Sequence, residues 1–465
     1  MQLVNESVQQ PTCPPIGRPV NVSEHGLELL NLTCTWHIVT VSRIRGNFTE
    51  ALLSQALKTL QLRHPALRKG ITGSIEAPQL VEFDPAPPVP LRVVSIAQAE
   101  DWSAIANTEL NQKIDSAQGL LRAVLVQVNS DPKLHYLITA SHHAISDGLS
   151  CIQLHSEILT ICQHQIAGTD PNLPPLPEVP SITSLLPTAF QPGKGESKGL
   201  LYAISLGLKR KFFRLKTLPA DTSAPLGDRH CYLISQTLPP AVTQQLIQSC
   251  KQQNLGVNAA IAAALLTTAR QQINSRQRSQ QKLCLSCDSA VDVRRRLPIP
   301  WSREHLTNLA PWVRTFYIIR PQDSFWQIAQ KVQQKLQQAI ARQDMFRALW
   351  GALIMADYTI KHPQEVQATA FVSNVGKLEI PQSYGEFELE DITFTASNAV
   401  FAGVFAVYVT TYQSQMRLNF MFSEPAFDRS TLQALVDAAM DSLYQAIGES
   451  RSPNPQSSRS TLETV

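Results

Sequence analysis

This sequence carries little charge and lacks the features typical of nucleic-acid-binding proteins. Charged residues make up 17% of the chain, and the net charge is only +3. No zinc-finger spacing, RNP-like sequence or basic repeat adds to that small excess. A clustered basic surface is the usual footprint of nucleic-acid binding. We therefore expect no nucleic acid among the partners of this protein.

Long apolar runs are missing as well. The most apolar candidates are 257–269, which is too short to span a bilayer, and 396–412, which carries several polar residues. The residues that follow Met1 lack the basic and apolar regions of a signal peptide. These absences predict a cytoplasmic protein.

Closely spaced cysteines are rare, because the eight cysteines are scattered and only Cys284 and Cys287 form a close pair. A Cys-x-x-Cys pair suits zinc or redox chemistry, but no second pair follows at the spacing of a zinc finger. The pair lies in an apolar, strand-like run, where free cysteine is usually a small packed side chain. We predict two packed thiols and no metal site.

The length of 465 residues predicts two domains, because a single hydrophobic core usually stops growing well below that size. Prolines crowd the segment 170–199, and a packed element tolerates few of them. We predict a crossover there, with an N-terminal domain over 1–190 and a C-terminal domain over 191–448. A disordered polar tail is expected over 449–465.

Both halves alternate between helical and strand-like patterns of apolar residues, which predicts the α/β class. The predicted strands are 33–41, 91–94, 120–128, 134–140, 283–293, 312–319, 369–373, 392–397, 404–411 and 416–422. The predicted helices are 48–62, 149–163, 240–253, 258–274, 325–342 and 429–447. The nearly continuous apolar run 134–140 is typical of a strand buried on both faces.

Two adjacent histidines, His142 and His143, follow the predicted strand 134–140. Because neighbouring strand residues point to opposite faces, only one of the two faces a given cleft. Asp147 follows closely enough to organise the loop, and Gly148 permits a tight turn. Neutral histidine is the usual side chain for removing a proton near neutral pH. The alternative is two satisfied core histidines, which the full spacing His-His-x-x-x-Asp-Gly after an apolar strand disfavours.

The stretch from His142 to Gly148 resembles the signature of the condensation-domain superfamily. That superfamily includes non-ribosomal peptide condensation domains, chloramphenicol acetyltransferase, plant BAHD acyltransferases and stand-alone polyketide-associated acyltransferases. Three further stretches resemble segments of the family: Arg-His-Pro-Ala-Leu-Arg at 63–68, Ser-Ala-Val-Asp-Val-Arg at 289–294 and Ser-Asn-Val-Gly at 373–376. They occur in the family's order, and the resemblance extends from about residue 17 to about residue 447.

The resemblance implies a mixed α/β (two-layer α+β) fold, with two chloramphenicol acetyltransferase-like subdomains that form a V around a central tunnel. It implies that His143 is the general base, which deprotonates an acceptor hydroxyl or amine as that group attacks a thioester carbonyl. Asp147 would point away from the substrates and pair with Arg294 as a structural ion pair. His142 and Gly148 would support the turn, and Gly148 would also leave room for substrate or for an incoming backbone group. With both substrates at one imidazole, neither an acyl-enzyme nor a cofactor is expected.

Departures from the family pattern narrow the expected activity. No Asp-Phe-Gly-Trp-Gly sequence occurs, which disfavours the plant BAHD branch, and no adenylation or carrier domain is attached. We therefore expect a free-standing, monomeric acyltransferase whose co-substrate is a thioester of coenzyme A or of an acyl carrier protein. The expected acceptor is a small-molecule or lipid alcohol. The alternatives are amide formation on an amine and a non-catalytic scaffold that only binds carrier protein.

Other residues carry weaker signals. The stretch 209–216 mixes basic and aromatic residues that would suit the phosphates of coenzyme A, a carrier protein or, weakly, an anionic membrane. A solvated helix face explains the same stretch as well. His155 falls on the helix after the motif, where a core or surface role is more common than catalysis. His305 and Asn308 fall in a loop that would border the tunnel.

Overall fold

The computed structural model of this chain describes residues 17–277 and 281–451. Of the predicted polar tail, residues 452–465 lie outside the described residues, as do the first sixteen residues of the predicted N-terminal domain. The strands are β1 (Gly17–Pro19), β2 (His37–Arg45), β3 (Lys69–Ser74), β4 (Ala77–Glu82), β5 (Leu91–Ile96), β6 (Leu121–Val128), β7 (Leu134–His142), β8 (His230–Leu238), β9 (Leu283–Ala290), β10 (Trp312–Ile319), β11 (Ala370–Lys377), β12 (Ser383–Tyr384), β13 (Phe387–Ala396), β14 (Phe405–Tyr412) and β15 (Gln415–Glu424). The helices are α1 (Val22–Thr33), α2 (Glu50–Arg63), α3 (Trp102–Asn111), α4 (Gly148–Ala167), α5 (Ile182–Leu185), α6 (Gly195–Phe212), α7 (Pro240–Gln252), α8 (Val257–Gln277), α9 (Phe325–Ala341), α10 (Asp344–Lys361) and α11 (Arg429–Ala446). This mixture of elements confirms the predicted α/β class.

Six strands form the first sheet, in the spatial order β12-β13-β2-β7-β6-β5. β7 lies inside it, antiparallel to β2 on one side and to β6 on the other. Every residue of β7 is buried, as expected for a strand covered on both faces. Because both neighbours hold β7 in register, its last residue, His142, has a fixed place opposite His37 of β2.

Six other strands form the second sheet, in the order β10-β9-β11-β14-β15-β8. Helix α8 packs against α9 and α11 on this sheet, and its alanines between residues 259 and 264 are all buried. Small side chains let neighbouring backbones approach closely, which explains the unusual alanine content of this helix. A smaller sheet of β1, β4 and β3 lies apart from both.

The first sheet takes two of its strands from late in the sequence. β13 runs antiparallel to β2, with Thr393 opposite Val41 and Ala396 opposite Ile38, and β12 extends the sheet beyond β13. All strands of the second sheet follow the predicted division near residue 190. The strands of the first sheet precede it, except for β12 and β13. The domain bounds themselves stay a prediction.

The predicted strand 33–41 is wrong at its beginning, because residues 22–33 form helix α1. The side chain of Asn21 accepts hydrogen bonds from the backbone N–H groups of Ser23 and Glu24, and the Glu24 carboxylate accepts one from the Asn21 N–H at 2.8 Å. This reciprocal cap satisfies donors that a helix start leaves open. The strand begins only at His37.

The predicted crossover 170–199 contains more packed structure than its prolines suggest. Ile182 in α5 and the nearby Leu186 and Phe190 are buried, and α6 already begins at Gly195. The segment is therefore anchored to the core at three points along its length.

Cys284 and Cys287 both lie on β9 as free thiols, with Cys287 buried and Cys284 half-buried. Burial raises the pKa of Cys284 to about 11, so the thiol stays protonated at neutral pH. The prediction of two packed thiols is confirmed.

Within residues 17–277 and 281–451, every helix is too short or too polar to span a bilayer.

Candidate active site

His143 lies in the tight turn that connects β7 to α4. The turn is closed by two hydrogen bonds to the carbonyl oxygen of His142, from the Ile145 N–H at 3.1 Å and the Ser146 hydroxyl at 3.0 Å. His142 belongs to the sheet and is fully buried, whereas His143 is half-buried and lines a cavity. Only the second histidine is thus available to a ligand.

The imidazole of His143 is oriented by its own loop. Its Nδ1 lies 3.0 Å from the carbonyl oxygen of Ser146 and 3.3 Å from Nδ2 of Asn308. A carbonyl oxygen can only accept a hydrogen bond, so the shorter contact requires a proton on Nδ1. The lone pair of the neutral ring then lies on Nε2, for which no partner is found among the described residues.

Aromatic side chains hold the same ring from the side. The indole of Trp36 stacks on the His143 imidazole with ring centres 5.9 Å apart and planes 15° from parallel. Phe401 in turn meets Trp36 edge to face at 5.3 Å. Burial among these rings lowers the pKa of His143 below its ordinary value because it disfavours the charged imidazolium, although the Ser146 carbonyl and Asp147 oppose this. The ring is therefore neutral at pH 7 and able to accept a proton.

His142 has a structural environment. Its Nδ1 accepts a hydrogen bond from the Ala144 N–H at 3.2 Å, and its Nε2 lies 2.9 Å from a carboxylate oxygen of Glu28. The other oxygen of Glu28 accepts a hydrogen bond from the Ser116 hydroxyl at 2.6 Å. Burial raises the pKa of Glu28, but its contacts with His142 and Ser116 outweigh that effect and leave the pKa lowered. The pair ties the turn to helix α1.

Asp147 and Arg294 are brought together in a two-pronged ion pair. Nη1 and Nη2 of Arg294 donate to the two carboxylate oxygens of Asp147 at 2.9 and 3.0 Å, and both side chains are buried. Asp147 also accepts hydrogen bonds from the N–H groups of Ser150 at 3.0 Å and Leu309 at 2.9 Å. Burial raises the pKa of Asp147, but Arg294 and these donors outweigh it and hold the pKa below its usual range.

This pair positions two other parts of the site. Asp147 caps the first turn of α4 through Ser150, which fixes the end of the His143 loop. Through Leu309 it also fixes the residue that follows Asn308, whose amide reaches His143. One carboxylate therefore links the histidine loop to segments near residues 294 and 309.

Gly148 begins α4 directly after the histidine turn and lies against an aromatic side chain. It is the first residue of α4 and does not have the positive φ that would require glycine in a turn. A Cβ at this position would lie 2.5 Å from the ring of Phe394 on β13. The glycine leaves room for the Phe394 side chain, and it is also among the residues that line the cavity described below.

We expect Gly148→Ala to destabilise the protein by about 1–3 kcal/mol, because the added methyl overlaps the Phe394 ring in a packed core. Chemical denaturation would measure the loss. Gly119→Ala is the matched control, since a Cβ there meets no atom within 4 Å. Equal stability of both variants would contradict the steric explanation.

A cavity of about 660 Å³ begins at His143 and is lined by both sheets. Near His143 its wall is mainly apolar and aromatic, with Trp36, Phe394, Phe401 and Tyr408. Helices α6 and α10 also contribute to the wall, and Lys211, Arg214 and Glu365 are among the charged lining residues. The cavity thus combines aromatic side chains with several basic ones in its lining.

The other predicted candidates lie in different places. Asn308 reaches His143, but His305 contacts the hydroxyl of Ser302 at 3.0 Å and the ring of Trp301, away from the cavity. His155 is fully buried, with its ring nitrogens 2.7 Å from the Ser42 hydroxyl and 2.8 Å from the Thr139 hydroxyl. It is a satisfied core histidine.

Several residues of the site escaped the sequence analysis. Trp36 lies just before β2, and β2 pairs with β7, the strand that ends at His142. Its aromatic side chain at the start of that neighbouring strand was the available signal. Glu28 lies on α1, which was not predicted, and Phe394 lies on a strand far away in sequence. No sequence pattern connects these two residues to His142 or Gly148.

Two family models match this chain, one in each half. The model described as "Condensation domain" matches residues 27–181, which contain the histidine turn. The model described as "Phthiocerol/phthiodiolone dimycocerosyl transferase C-terminus" matches residues 234–422. The chain is therefore similar to condensation domains in its first half and to that transferase family in its second half. The resemblance inferred from the histidine motif is confirmed.

Curated relatives of this protein are much longer than it is. It is 22% identical over 448 residues to nonribosomal peptide synthetase kk1B of Curvularia clavata, which covers 92% of this chain and 3% of that protein. It is 31% identical over 150 residues to cyclosporin synthetase simA of Tolypocladium inflatum, covering 31% of this chain and 1% of that protein. The chain therefore spans only a few per cent of the length of these relatives.

Solved structures of similar fold match nearly the full chain. Polyketide synthase associated protein 5 from Mycobacterium tuberculosis is 17% identical, with 93% of this chain and 98% of that chain covered and a TM-score of 0.66. Trichothecene 15-O-acetyltransferase TRI3 from Fusarium sporotrichioides is 12% identical, with 93% and 95% covered and a TM-score of 0.69. The first condensation domain of the calcium-dependent antibiotic synthetase is 15% identical, with 93% and 96% covered and a TM-score of 0.68. The TM-scores of 0.66, 0.69 and 0.68 establish a shared fold, and at identities this low the likeness shows the fold alone.

Proposed function

We propose that this protein is an acyltransferase that moves an acyl group from a thioester to an alcohol, with His143 as the general base. The observation that carries the proposal is the His143 ring itself. Its Nδ1 is held by the Ser146 carbonyl, its pKa is lowered, and it lines a cavity of about 660 Å³. A neutral, oriented imidazole beside a ligand-sized cavity is what proton abstraction near pH 7 requires.

The reaction would proceed in two steps at one imidazole. Nε2 takes the proton of the acceptor hydroxyl while its oxygen attacks the thioester carbonyl carbon. The tetrahedral intermediate then collapses, the carbon–sulfur bond breaks, and the imidazolium returns the proton to the thiolate. The Ser146 carbonyl and nearby Asp147 favour the transient positive charge. Positioning both substrates at one base removes the need for an acyl-enzyme.

The cavity lining favours a thioester donor with a phosphate-bearing arm. Lys211 and Arg214 line the cavity, where they would meet a phosphate of coenzyme A or of a carrier-bound arm. The aromatic wall near His143 would surround the acyl chain or an apolar acceptor. Among proteins of the same fold, TRI3 is named as a 15-O-acetyltransferase, which supports an alcohol as acceptor.

The test is thiol release from acyl-coenzyme A and acyl-carrier-protein donors, with acyl chains from acetyl to palmitoyl. Alcohol-rich and amine-rich extracts would supply acceptors, and mass spectrometry would identify the products. We expect thiol release that depends on the alcohol extract and yields an ester. Amide products alone would replace the ester assignment with amide formation. Carrier-protein binding without turnover of any thioester would support the scaffold alternative instead.

A further inference from the structure

Helix α6 exposes a strip of large apolar side chains along one face. Leu201, Ile204, Leu208 and Phe212 follow one another at helical spacing, with 65%, 49%, 63% and 81% of each residue exposed. Single exposed apolar residues are normal on a soluble protein, but a continuous row of them marks an interaction surface. We call these four residues the α6 strip.

The opposite face of α6 explains why the strip points outward. A Cβ on Gly195 would lie 1.9 Å from the Trp350 side chain of α10, and one on Gly199 would lie 2.5 Å from it. These glycines let the two helices approach closely. Trp350 is itself fixed, because its indole N–H donates to the Phe190 carbonyl at 2.7 Å. Since α6 is held in one rotational setting, the strip stays in solvent.

The strip continues to the opening of the cavity. Ile204 and Leu208 are both exposed and part of the cavity wall, as are Ile354 and Tyr358 of the neighbouring α10. Residues that are exposed and also line a cavity lie at its mouth. The cavity therefore opens onto the same apolar surface.

The surroundings of the strip are strongly basic. Between residues 194 and 216 there are seven lysines and arginines and one glutamate, an excess of six positive charges, whereas the whole chain has a net charge of +3. At about 100° of rotation per residue, Lys209 and Lys211 fall on opposite flanks of the strip. A row of apolar side chains between basic flanks is the pattern of helices that lie in a membrane interface.

We propose that the α6 strip docks this protein on the surface of an anionic lipid bilayer. The apolar side chains would enter the acyl boundary while the flanking lysines meet the lipid phosphates. With 18 residues, α6 is about 27 Å long, and the strip runs over most of that length. A flat bilayer covers such a row from end to end, which favours it over a small acidic protein domain or a second copy of this chain.

Docking in this orientation would place the cavity mouth against the lipid. If the proposed acyl transfer is correct, an acyl chain or a membrane-dissolved alcohol could enter the cavity without crossing water. That consequence rests on the proposed function, whereas the docking itself does not.

Vesicle sedimentation tests the docking. The full chain would be mixed with two kinds of vesicle, one of pure phosphatidylcholine and one that also contains about 30% phosphatidylglycerol. The comparison separates binding through apolar contacts from binding that depends on lipid charge. We expect binding that increases with phosphatidylglycerol and weakens with salt. Leu201→Ser combined with Phe212→Ser should lower the partition coefficient at least about tenfold. Lys209→Gln combined with Lys211→Gln should lower it by about fivefold per lysine, and only on the anionic vesicles.

The controls use residues of the same kind elsewhere on the surface. Leu62→Ser with Ile75→Ser removes two other exposed apolar side chains, and Lys58→Gln with Lys335→Gln removes two other exposed lysines. An equal loss of vesicle binding in these control variants would overturn the proposal. So would a wild-type protein that binds to neither vesicle type. Light scattering that shows self-association through the strip, or binding to an acidic carrier protein without vesicle binding, would assign the surface to that partner instead. Vesicle binding needs no turnover, so its outcome is independent of the acyltransferase test.

Discussion

Replacing His143 with alanine is expected to lower kcat/KM for acyl transfer by about 10²- to 10⁴-fold, while the protein remains folded. This range is the usual contribution of a general base. The variant removes the ring that lines the cavity beside Trp36 but leaves the Asp147–Arg294 pair in place. The loss should therefore appear in the chemical step, as a lower kcat, more than in KM.

Steady-state thiol release would measure the effect, together with thermal unfolding of each variant. The matched control is His305→Ala, because His305 is half-buried but lies away from the cavity. For the wild type, kcat/KM should fall as the pH drops through the pKa of His143, since only the neutral ring accepts a proton. Burial lowers that pKa from 6.5, so activity should be constant near pH 7 and decline only at more acidic pH. Equal activity of wild type and His143→Ala would end the assignment of His143 as base.

Arg294→Met is expected to cost about 3–5 kcal/mol of the free energy of unfolding, because it leaves the carboxylate of Asp147 buried without its partner. The effect should exceed that of replacing an exposed arginine. Asp147 would lose two of its four hydrogen-bond donors, and the loop that carries Asn308 would lose part of its support. Chemical denaturation at pH 7 would measure the loss.

The neighbouring Arg295 provides the matched control, because it is exposed, and Arg295→Met should change stability little. Combining Arg294→Met with Asp147→Asn should cost much less than the sum of the two single losses, since the double variant leaves no unpaired buried charge. The pKa of Asp147 is lowered in the folded state, so the pair stabilises the fold above the unfolded pKa of about 3.9. As the pH falls below about 4, that contribution should disappear, and the difference between wild type and Arg294→Met should shrink. Additive losses at neutral pH would show that the pair does not act as a unit.

Much of the sheet architecture could be predicted because its signal is local. The run 134–140 is apolar at nearly every position, and the structure buries all of β7. Helix α6 was harder to predict, since Gly195, Gly199 and Gly207 lower its helix propensity and its large apolar side chains face solvent. Periodicity assumes that apolar side chains mark the buried face, and at α6 that assumption fails.

The residues of the site also fall into those with a local sequence signal and those without one. The motif from His142 to Gly148 is continuous in sequence, so its loop could be located from the sequence alone. The contacts of Trp36 and Asn308 with His143 arise only when distant segments meet. A single sequence contains no local pattern for such contacts.

Strand β13 has a consequence for how this chain reaches its folded state. It closes the edge of β2, and the hydrogen bond from the His37 N–H to the Ser397 hydroxyl joins residues 360 positions apart. During synthesis, this edge of β2 stays open until residues 387–396 have left the ribosome. Contacts of such high sequence separation slow folding and leave a strand edge available for intermolecular pairing. The strand that carries Phe394 to its place beside Gly148 therefore also protects a much earlier strand of this protein from aggregation.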